Sequence, residues 1–410
     1  MARDSIYPDS VKPGKPVLSE LPTGWERTSL KTCLTVEARK ADIKNDHEYD
    51  LVTVKRSRGG VVRREHLKGK DISVKSQFFI NEGDFLISKR QIVHGACGLV
   101  PKELEGSIVS NEYCVFTGKP GFYLPYIEYL AETLYFQQTC FHSSIGVHIE
   151  KMIFKLDRWF NWPFNIPPIH EQKRITQILS TWDQAIATTE RLLDLTRQQK
   201  KALMQQLLTG KKRLVDKNGF RFCGNWSFLK FDEAFQVIND KASQVKSSEY
   251  LETGSVPIVD QSQKLIAGYC NSEKRYTNVP VIVFGDHTRC IKWIDFSFCP
   301  GADGTQILSA TEVLDKKFGY YLLCNTDIPN LGYSRHMREL KEKEFKAPNS
   351  HEEQKRICMV LTAADREIET LQSQLDGLKQ EKKALMQVLL TGKRRVQLNE
   401  QNSKVITYGN

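Results

Sequence analysis

The 410-residue sequence lacks paired cysteines, long apolar runs and an apolar leader. Its ten cysteines include no C-x-x-C pair, and its nine histidines do not cluster with them. This spacing argues against a zinc site or a disulfide framework and favours reduced thiols in the cytoplasm. No apolar run approaches the ~18 residues that a membrane-spanning helix needs, and the polar N-terminus has no apolar h-region. We therefore expect no metal site, no signal peptide and no membrane partner.

Catalytic motifs are also missing. "NWPF" at 161–164 is similar to the Asn-Pro-Pro-aromatic tetrad of adenine methyltransferases, but Trp162 stands where that motif has proline. No Gly-rich cofactor loop follows a strand upstream of it, and no D…(D/E)xK cluster of a nuclease is present. We therefore predict no catalytic residues, and an enzyme such as a self-sufficient DNA methyltransferase or nuclease is disfavoured.

What the chain has is positive charge and a long internal repeat. The formal charge of +10 suits an acidic partner such as nucleic acid, although a basic protein without such a partner is the alternative. The segments 171–213 and 353–395 align without a gap and share about 24 of 43 residues. Both open with EQKRI and end with LLTGK and further basic residues.

Apolar residues in both copies recur at a 3–4 spacing, which is the pattern of a coiled-coil seam. The predicted seam consists of Ile175, Leu179, Trp182, Ile186, Leu193, Leu203 and Leu207 in the first copy and Ile357, Leu361, Ile368, Leu371, Leu375, Leu378, Leu385 and Leu389 in the second. Thr196, Lys200 and Lys382 interrupt the stripe, and we expect the two lysines to face water.

Local signals define the ends of these helices. Pro167 and Pro168 precede the first, and Ser350 with Glu353 forms a capping-box pattern before the second. Gly210 and Gly392 stand where left-handed caps end helices, followed by cations that suit the negative helix ends. Each helix should contain about 40 residues and be roughly 60 Å long. From the residues alone, the helices could pair in either direction, or each could pack only on its neighbouring domain.

Two unlike domains lie outside the repeat. Both contain short β-rich runs separated by Gly, Asn, Asp and Pro, and each has one late helical pattern, which predicts an α+β fold with mainly antiparallel sheet. The predicted organisation is an N-terminal arm at 1–20, a first domain at 21–165, the first helix region at 166–213, a second domain at 214–347, the second helix region at 348–396 and a C-terminal tail at 397–410.

This layout resembles the specificity subunit of type I restriction–modification enzymes. The resemblance covers nearly the whole chain and is carried by "LPTGW" at 21–25, "GDFLISKR" at 83–90, "LEGSIVSNEY" at 104–113, "IPPIHEQKRI" at 166–175, "FGDHTR" at 284–289, "GADGTQ" at 301–306, "NLGYSRH" at 330–336 and the two "KKALMQxLLTGK" ends. The segment "NSHEEQKRI" departs from the family because it lacks the usual prolines before the second helix.

The resemblance implies two target recognition domains, each reading one half of a bipartite, asymmetric site in double-stranded DNA. It implies that the two conserved helices form an antiparallel coiled coil with a pseudo-twofold layout, which sets the spacer and docks two methylation subunits. Restriction and translocase subunits complete the complex. S-adenosylmethionine, ATP and Mg²⁺ are expected on those partners, so base flipping would also belong to a partner. Half-sites read from one face of DNA lie roughly 34–36 Å apart, within the length of such helices.

Basic and polar segments in each domain are the candidate DNA contacts. In the first domain a Gly-containing basic loop, which we expect to be flexible, and the end of a strand supply Lys55, Arg56, Arg58, Arg63, Arg64, Lys89 and Arg90. In the second domain two polar segments supply Asp286, His287, Thr288, Arg289, Tyr333, Ser334, Arg335 and His336. A solvated loop is the structural alternative for the basic loop of the first domain, and helix capping is the alternative for residues 333–336 of the second.

Two other functions remain open from the sequence. One is the specificity subunit of a related type II system with a fused nuclease and methylase. The other is a coiled-coil scaffold that does not bind DNA, and a slope near zero in log K against log salt for duplex DNA would favour it.

Overall fold

The computed structural model describes residues 11, 14–302, 304–332 and 334–396. They divide into two compact units. The first joins the described residues up to Thr188 with those from Leu375 onward, and the second is Thr189–Gln374. Both boundaries fall inside the repeated helices. Each unit therefore combines one of the predicted domains with a part of both helices.

The first unit carries thirteen strands within the described residues. Its elements are β1 (Glu26–Ser29), α1 (Leu30–Cys33), β2 (Leu34–Glu37), β3 (Lys40–Ala41), β4 (Glu48–Val54), β5 (Val61–Lys68), β6 (Gln77–Phe79), β7 (Phe85–Ser88), β8 (Cys97–Leu99), β9 (Ile108–Ser110), β10 (Tyr113–Gly118), α2 (Tyr126–Glu132), α3 (Leu134–His142), β11 (Ser144–Ile145), β12 (Ile153–Phe154), α4 (Leu156–Trp159), β13 (Pro163–Ile166) and the start of the long helix α5 (Ile169–Leu207).

Two larger sheets organise this unit. One has the strand order β2-β10-β7-β8 and is antiparallel throughout, while the other has the order β3-β6-β9-β4-β5 and is parallel only between β4 and β9. Fully buried aromatic rings, among them Phe85, Phe116 and Trp159, fill the main core together with Ile175 of α5. The core thus fastens the domain to the helix.

The second unit follows the same plan with fewer strands. Its elements are the rest of α5, then β14 (Trp226–Lys230), α6 (Phe231–Ala234), β15 (Phe235–Val237), β16 (Val256–Val259), β17 (Gly268–Cys270), β18 (Val281–Gly285), β19 (Ile291–Ile294), β20 (Cys299–Pro300), β21 (Thr305–Ala310), α7 (Lys316–Cys324), α8 (Met337–Lys341), β22 (Glu344–Pro348) and the first part of α9 (His351–Leu389).

The sheet β15-β21-β18-β19 in this unit matches β2-β10-β7-β8 in the first in both order and direction. The pair β14-β22 likewise matches β1-β13. The units differ in the additional sheet, which has five strands in the first and three, β17-β16-β20, in the second. The predicted α+β class with mainly antiparallel sheet is confirmed. The shared plan of the two domains extends beyond the sequence similarity of their first residues.

Both long helices contain 39 residues, as their periodicity predicts. All fifteen predicted seam residues are buried or half-buried. In the first unit Glu171 near the start of α5 binds Arg395, which follows α9, and Asp183, further along α5, binds Lys382. As residue numbers rise along α5, the numbers of the residues that they pair with on α9 fall, so the two helices are antiparallel in this unit.

The second unit repeats the arrangement with the helix ends exchanged. Lys200 binds Asp365, and Arg213 after α5 forms two hydrogen bonds of 2.5 and 2.7 Å with Glu353 near the start of α9. The pairing is again antiparallel. Glu353 is only 1% exposed, so this ion pair is one of the buried contacts of the unit.

The helix ends confirm the caps and correct one detail. Gly210 and Gly392 have φ values of 72° and 68°, the left-handed conformation that glycine adopts at least cost. Ser350 Oγ accepts a hydrogen bond from the Glu353 amide at 3.4 Å, which is half of the predicted capping box. The other half is absent among the described contacts because the Glu353 carboxylate pairs with Arg213 instead.

The prediction that Lys200 and Lys382 face water is wrong. Their side chains are 20% and 13% exposed, and each forms an ion pair across the seam. Lys382 Nζ lies 2.7 Å from Asp183 Oδ1, and the Tyr129 hydroxyl donates to Asp183 Oδ2 at 2.9 Å. The long lysine stem buries its methylenes while the ammonium reaches a carboxylate. Thr196, the other polar seam residue, is buried and donates to the Leu192 carbonyl at 2.9 Å.

Candidate nucleic-acid interface

In the first unit the basic loop is the tip of the β4–β5 hairpin, and it is docked on the domain. The Ser57 amide donates to the His94 carbonyl at 2.7 Å, and the Arg58 amide donates to the Gly95 carbonyl at 2.9 Å. Ser57 and Arg58 both have positive φ, at 55° and 56°, which non-glycine residues adopt only when held. Our expectation of a flexible tip is therefore wrong. Lys55, at the base of the tip, is exposed.

Arg56 connects this tip to two other segments. Its Nε donates to Gln91 Oε1 at 2.8 Å, and one of its terminal nitrogens lies 2.7 Å from Glu150 Oε2. His94 Nε2 lies 3.2 Å from the other Glu150 oxygen. Burial, followed by the nearby Arg56 charge, lowers the pKa of His94, so its ring is neutral at pH 7.

Arg63 and Arg64 lie on β5, an edge strand of the five-stranded sheet. Leu51 of β4 faces Glu65 while Val52 faces Arg63, so Arg64 is the unopposed residue of a β-bulge. Bulges redirect side chains, and both arginines are exposed. Arg63 lies 2.9 Å from Asp50 and Arg64 lies 3.4 Å from Glu65, so each arginine is paired with a nearby carboxylate.

Lys89 and Arg90 follow β7 as predicted and differ in exposure. Lys89 is half-buried and donates from Nζ to the Asn111 carbonyl at 2.6 Å. Arg90 is exposed and forms hydrogen bonds of 2.6 and 3.2 Å with Glu112. Both are anchored to the β9–β10 connection.

The structure brings most of these cations to one surface. Gln91, next to Arg90, binds Arg56, and the Phe154 amide of β12 donates to the Lys89 carbonyl at 2.8 Å. This candidate reading surface of the first unit comprises the tip of β4–β5, the end of β7 and the β11–β12 hairpin. The hairpin adds Lys151 and Lys155, both exposed, which were not among the predicted contacts. The basic segment "EKMIFK" was the available signal, but it lacks a glycine-marked turn of its own.

In the second unit the three polar segments of the resemblance meet around the turn after β18. The Asp286 amide donates to the Gly304 carbonyl at 2.7 Å, and the His336 amide donates to the Asp286 carbonyl at 2.8 Å. Gln261, which sequence reasoning missed, accepts from the His287 amide at 3.1 Å and from the Thr288 hydroxyl through its carbonyl. Only the folded chain reveals this role of Gln261, because its neighbours carry no motif.

Asp286 and His336, which were predicted as DNA contacts, are buried inside the domain and form hydrogen bonds there. Asp286 is 3% exposed, and its carboxylate accepts from the Met337 amide at 2.7 Å at the start of α8. His336 is fully buried, with Nδ1 2.8 Å from the Asp286 carbonyl and Nε2 accepting from the Leu331 amide at 3.2 Å. Asp286 therefore accepts a hydrogen bond at the start of α8, where His336 makes no side-chain capping bond.

The remaining predicted residues of this turn are more accessible. Thr288 and Arg335 are exposed, while His287, Arg289 and Ser334 are half-buried. Arg289 has a φ of 59° and donates to the Ile328 carbonyl at 2.9 Å, whereas the Ser334 hydroxyl donates to the Leu331 carbonyl at 2.7 Å. Tyr333 and Asp303 lie outside the described residues.

A buried lysine forms hydrogen bonds to the loop that contacts this turn. Lys292 of β19 is 6% exposed and donates to the Asp260 carbonyl at 2.7 Å and to the Lys264 carbonyl at 2.5 Å. Burial lowers the pKa of its ammonium. These bonds fix the loop that carries Gln261, so Lys292 orients the polar turn and is not itself at the surface.

Within the described part of the chain, no group of three or more His, Cys, Asp and Glu side chains is placed to hold a metal ion. None of the described helices has the length and apolarity that crossing a membrane requires. In "NWPF", Phe164 is a core residue of β13, 1% exposed, and Trp162 Nε1 donates to Ser143 Oγ at 3.1 Å. This segment serves packing.

Comparisons with known proteins agree on one family. Residues 22–197 match the family model described as the type I restriction modification DNA specificity domain. The chain is 23% identical over 430 aligned positions to the type I restriction enzyme MjaVIII specificity subunit of Methanocaldococcus jannaschii, with 92% of this chain and 94% of the relative covered. It is 28% identical over 253 positions to the putative type I restriction enzyme MjaX specificity subunit of the same organism, an alignment that covers 56% of this chain and 59% of the relative.

Solved structures share the fold. The S subunit of a type I restriction–modification system from M. genitalium superposes with a TM-score of 0.60 at 13% identity, covering 93% of this chain and all of that one. A chain from a study of complex assembly and conformational transition in a type I R-M system gives a TM-score of 0.53 at 16% identity, covering 92% and 100%.

Proposed function

We propose that this chain is the noncatalytic DNA-reading subunit of a type I restriction–modification complex, because residues 22–197 match the DNA specificity domain of such systems and most of the chain aligns with a type I specificity subunit. Each unit reads one half of a bipartite, asymmetric site in double-stranded DNA. The antiparallel helices set the nonspecific gap between the halves and dock the methylation subunits. The complex works in the cytoplasm, where its DNA substrate is found.

One observation carries this proposal, namely a duplicated frame with two different polar surfaces. Each unit contains the same four-stranded sheet and joins α5 to α9 through an Arg–Glu pair and a Lys–Asp pair. Conserving the frame while changing the surface is what two readers of unlike half-sites require. In the first unit the surface is mainly basic, and in the second it is a turn of mixed hydroxyl, imidazole and guanidinium groups.

The buried glutamines show how closely the frame is repeated. Gln172 accepts from the Tyr123 amide at 2.7 Å and donates to the Pro167 carbonyl at 2.8 Å. Gln354 accepts from the Asp315 amide at 2.6 Å and donates to the Pro348 carbonyl at 2.9 Å. Each glutamine ties its domain to the first turn of a long helix. A domain held in this way can present its surface in a fixed orientation.

The chemistry of the complex is assigned to other chains. We propose two methylation subunits, which bind S-adenosylmethionine, and restriction subunits, which use ATP and Mg²⁺. A mass measurement of the intact assembly tests this stoichiometry. One methylation subunit per chain would contradict it.

The main experiment uses the full chain assembled with its methylation subunits. Binding to duplex DNA should weaken steeply with salt, because cations on both surfaces displace counterions from phosphates. Mapping of methylated adenines should give a two-part motif with a constant gap. A slope near zero in log K against log salt would refute DNA reading, and a single continuous motif would refute two separate readers.

A domain exchange tests the assignment of halves. Replacing residues 21–163 with the first domain of another family member should change one half of the motif and leave the other half and the gap unchanged. A change in both halves would contradict independent readers.

A further inference from the structure

The β11–β12 hairpin of the first unit presents an apolar tip among cations. Its strands pair only at Ser144–Phe154 and Ile145–Ile153, which leaves residues 146–152 as a loop. Val147 in this loop is 96% exposed, and Ile145 at its base is 44% exposed. Such exposure of branched apolar side chains next to a basic surface indicates a contact that the isolated chain does not make.

The loop is held in shape by contacts at both of its sides. Glu150 pairs with Arg56 at 2.7 Å, and the Lys151 amide donates to the His148 carbonyl at 2.8 Å. A Cβ at Gly146 would lie 2.9 Å from the Met152 backbone, so glycine is needed for this close approach. A loop fixed before binding loses less conformational entropy on contact with a ligand.

The charges around the tip suit a phosphate backbone. Lys151 and Lys155 are exposed on the same segment, and the hairpin is joined to Lys89 through the Phe154 amide. The acidic Glu150 is neutralised by Arg56. An apolar tip between cations can enter a groove of DNA while the cations contact the flanking phosphates. There, valine methyls can pack on the thymine C5-methyl group, which distinguishes thymine from the other bases in the major groove.

We propose that loop 146–152 is a base-reading element of the first unit, in which Val147 packs against a base edge and Lys151 contacts an adjacent phosphate. The inference rests on the proposed function and adds the element that carries part of its specificity. Lys151 contributes affinity for any sequence, whereas Val147 contributes discrimination at one position of the first half-site.

The test compares Val147→Ala with Val74→Ala in the full chain assembled with methylation subunits. Val74 is 51% exposed in the same unit and outside the reading surface, so the chemical change is matched. Affinities are measured for the mapped site and for single-base variants of both halves. Val147→Ala should reduce discrimination at one first-half position about tenfold, the value expected for two lost methyl contacts. Val74→Ala should have no effect.

A second variant separates affinity from reading. Lys151→Ala should weaken binding to all duplexes alike and reduce the salt slope by about 1. If the unmodified complex binds with a steep salt slope and methylates a two-part motif, the proposed function stands whatever the variants do. If the proposed function stands, the base-reading role of the loop is refuted by any of three results. These are that Val147→Ala has the same effect as Val74→Ala, weakens binding to all sequences equally, or changes discrimination in the second half-site. Thermal unfolding of each variant confirms that the fold is intact.

Discussion

The lysine in the helix seam of the first unit gives a quantitative test of how the domain is held. Lys382 lies between Asp183 at 2.7 Å and Glu132 at 3.4 Å, and its ammonium is 5.5 Å from the centre of the Tyr129 ring. Lys382→Met keeps the apolar stem and removes the charge. It leaves two carboxylates near each other in a partly buried position without their shared cation.

The size of the effect follows from the exposure of the three groups. Exposed ion pairs contribute about 0–1 kcal/mol, and breaking a fully buried pair costs about 3–5 kcal/mol. Lys382 is 13% exposed, but Asp183 and Glu132 are 44% and 34% exposed, so water screens them in part. We expect a loss of about 1–3 kcal/mol. For a unit of this size, 2 kcal/mol lowers Tm by about 4–8 °C.

Calorimetry on the full chain measures this change against Lys383→Met, the same substitution at the exposed neighbouring residue. A double-mutant cycle with Asp183→Asn, which keeps an acceptor for Tyr129, should give a coupling energy of about 1 kcal/mol or more. If Lys382→Met equals Lys383→Met or raises Tm, the seam lysine contributes nothing and the reasoning is refuted.

Three further outcomes are expected. The hydrogen bond to Asp50, with a second to Glu48, raises the pKa of His66, so the NMR titration of His66 should lie above pH 6.5 and move down in Asp50→Asn. The stability that these bonds contribute is present below pH 6.5 and is lost as pH rises through the folded pKa. An unshifted titration would contradict this. Gln172→Ala should lower the free energy of unfolding by about 2–3 kcal/mol, because it leaves buried backbone groups unpaired. Gln172→Glu should not restore the two donated hydrogen bonds. A loss below about 0.5 kcal/mol for Gln172→Ala in chemical denaturation would argue that Gln172 does not hold the domain on the helix. Cys223 and Cys324 are the exposed cysteines, and desolvation raises the pKa of the Cys324 thiol to about 11, so Cys223 should react first with a thiol reagent. Cys223→Ser should remove that fast phase, and persistence of the fast phase would contradict this order of reactivity.

The two units show how a frame and a reading surface are separated within one fold. Buried glutamines fasten each domain to a helix, while ion-paired arginines and seam lysines join the two helices, and all three recur in both units. The surfaces are built on the connections between strands, where insertions cost little stability. A five-stranded sheet in one unit and a three-stranded sheet in the other then place different side chains on equivalent frames.

The amino-acid sequence by itself determined the long helices and the organisation around them. Their periodicity, the prolines before α5 and the glycines at 210 and 392 lie within contiguous segments, and local backbone preferences act over that range. The β-rich runs likewise predicted the class of the domains. These features depend on neighbours in the chain, so a single sequence is sufficient to read them.

The tertiary structure alone decided which polar residues reach the surface. Arg56 meets Glu150 across 94 positions, and His336 meets Asp286 across 50, through contacts that no local pattern specifies. Exposure depends on which distant segment covers a side chain. For the same reason the seam lysines, which we expected to face water, form ion pairs with carboxylates. Asp286 and His336, which we expected to contact DNA, are buried inside the domain.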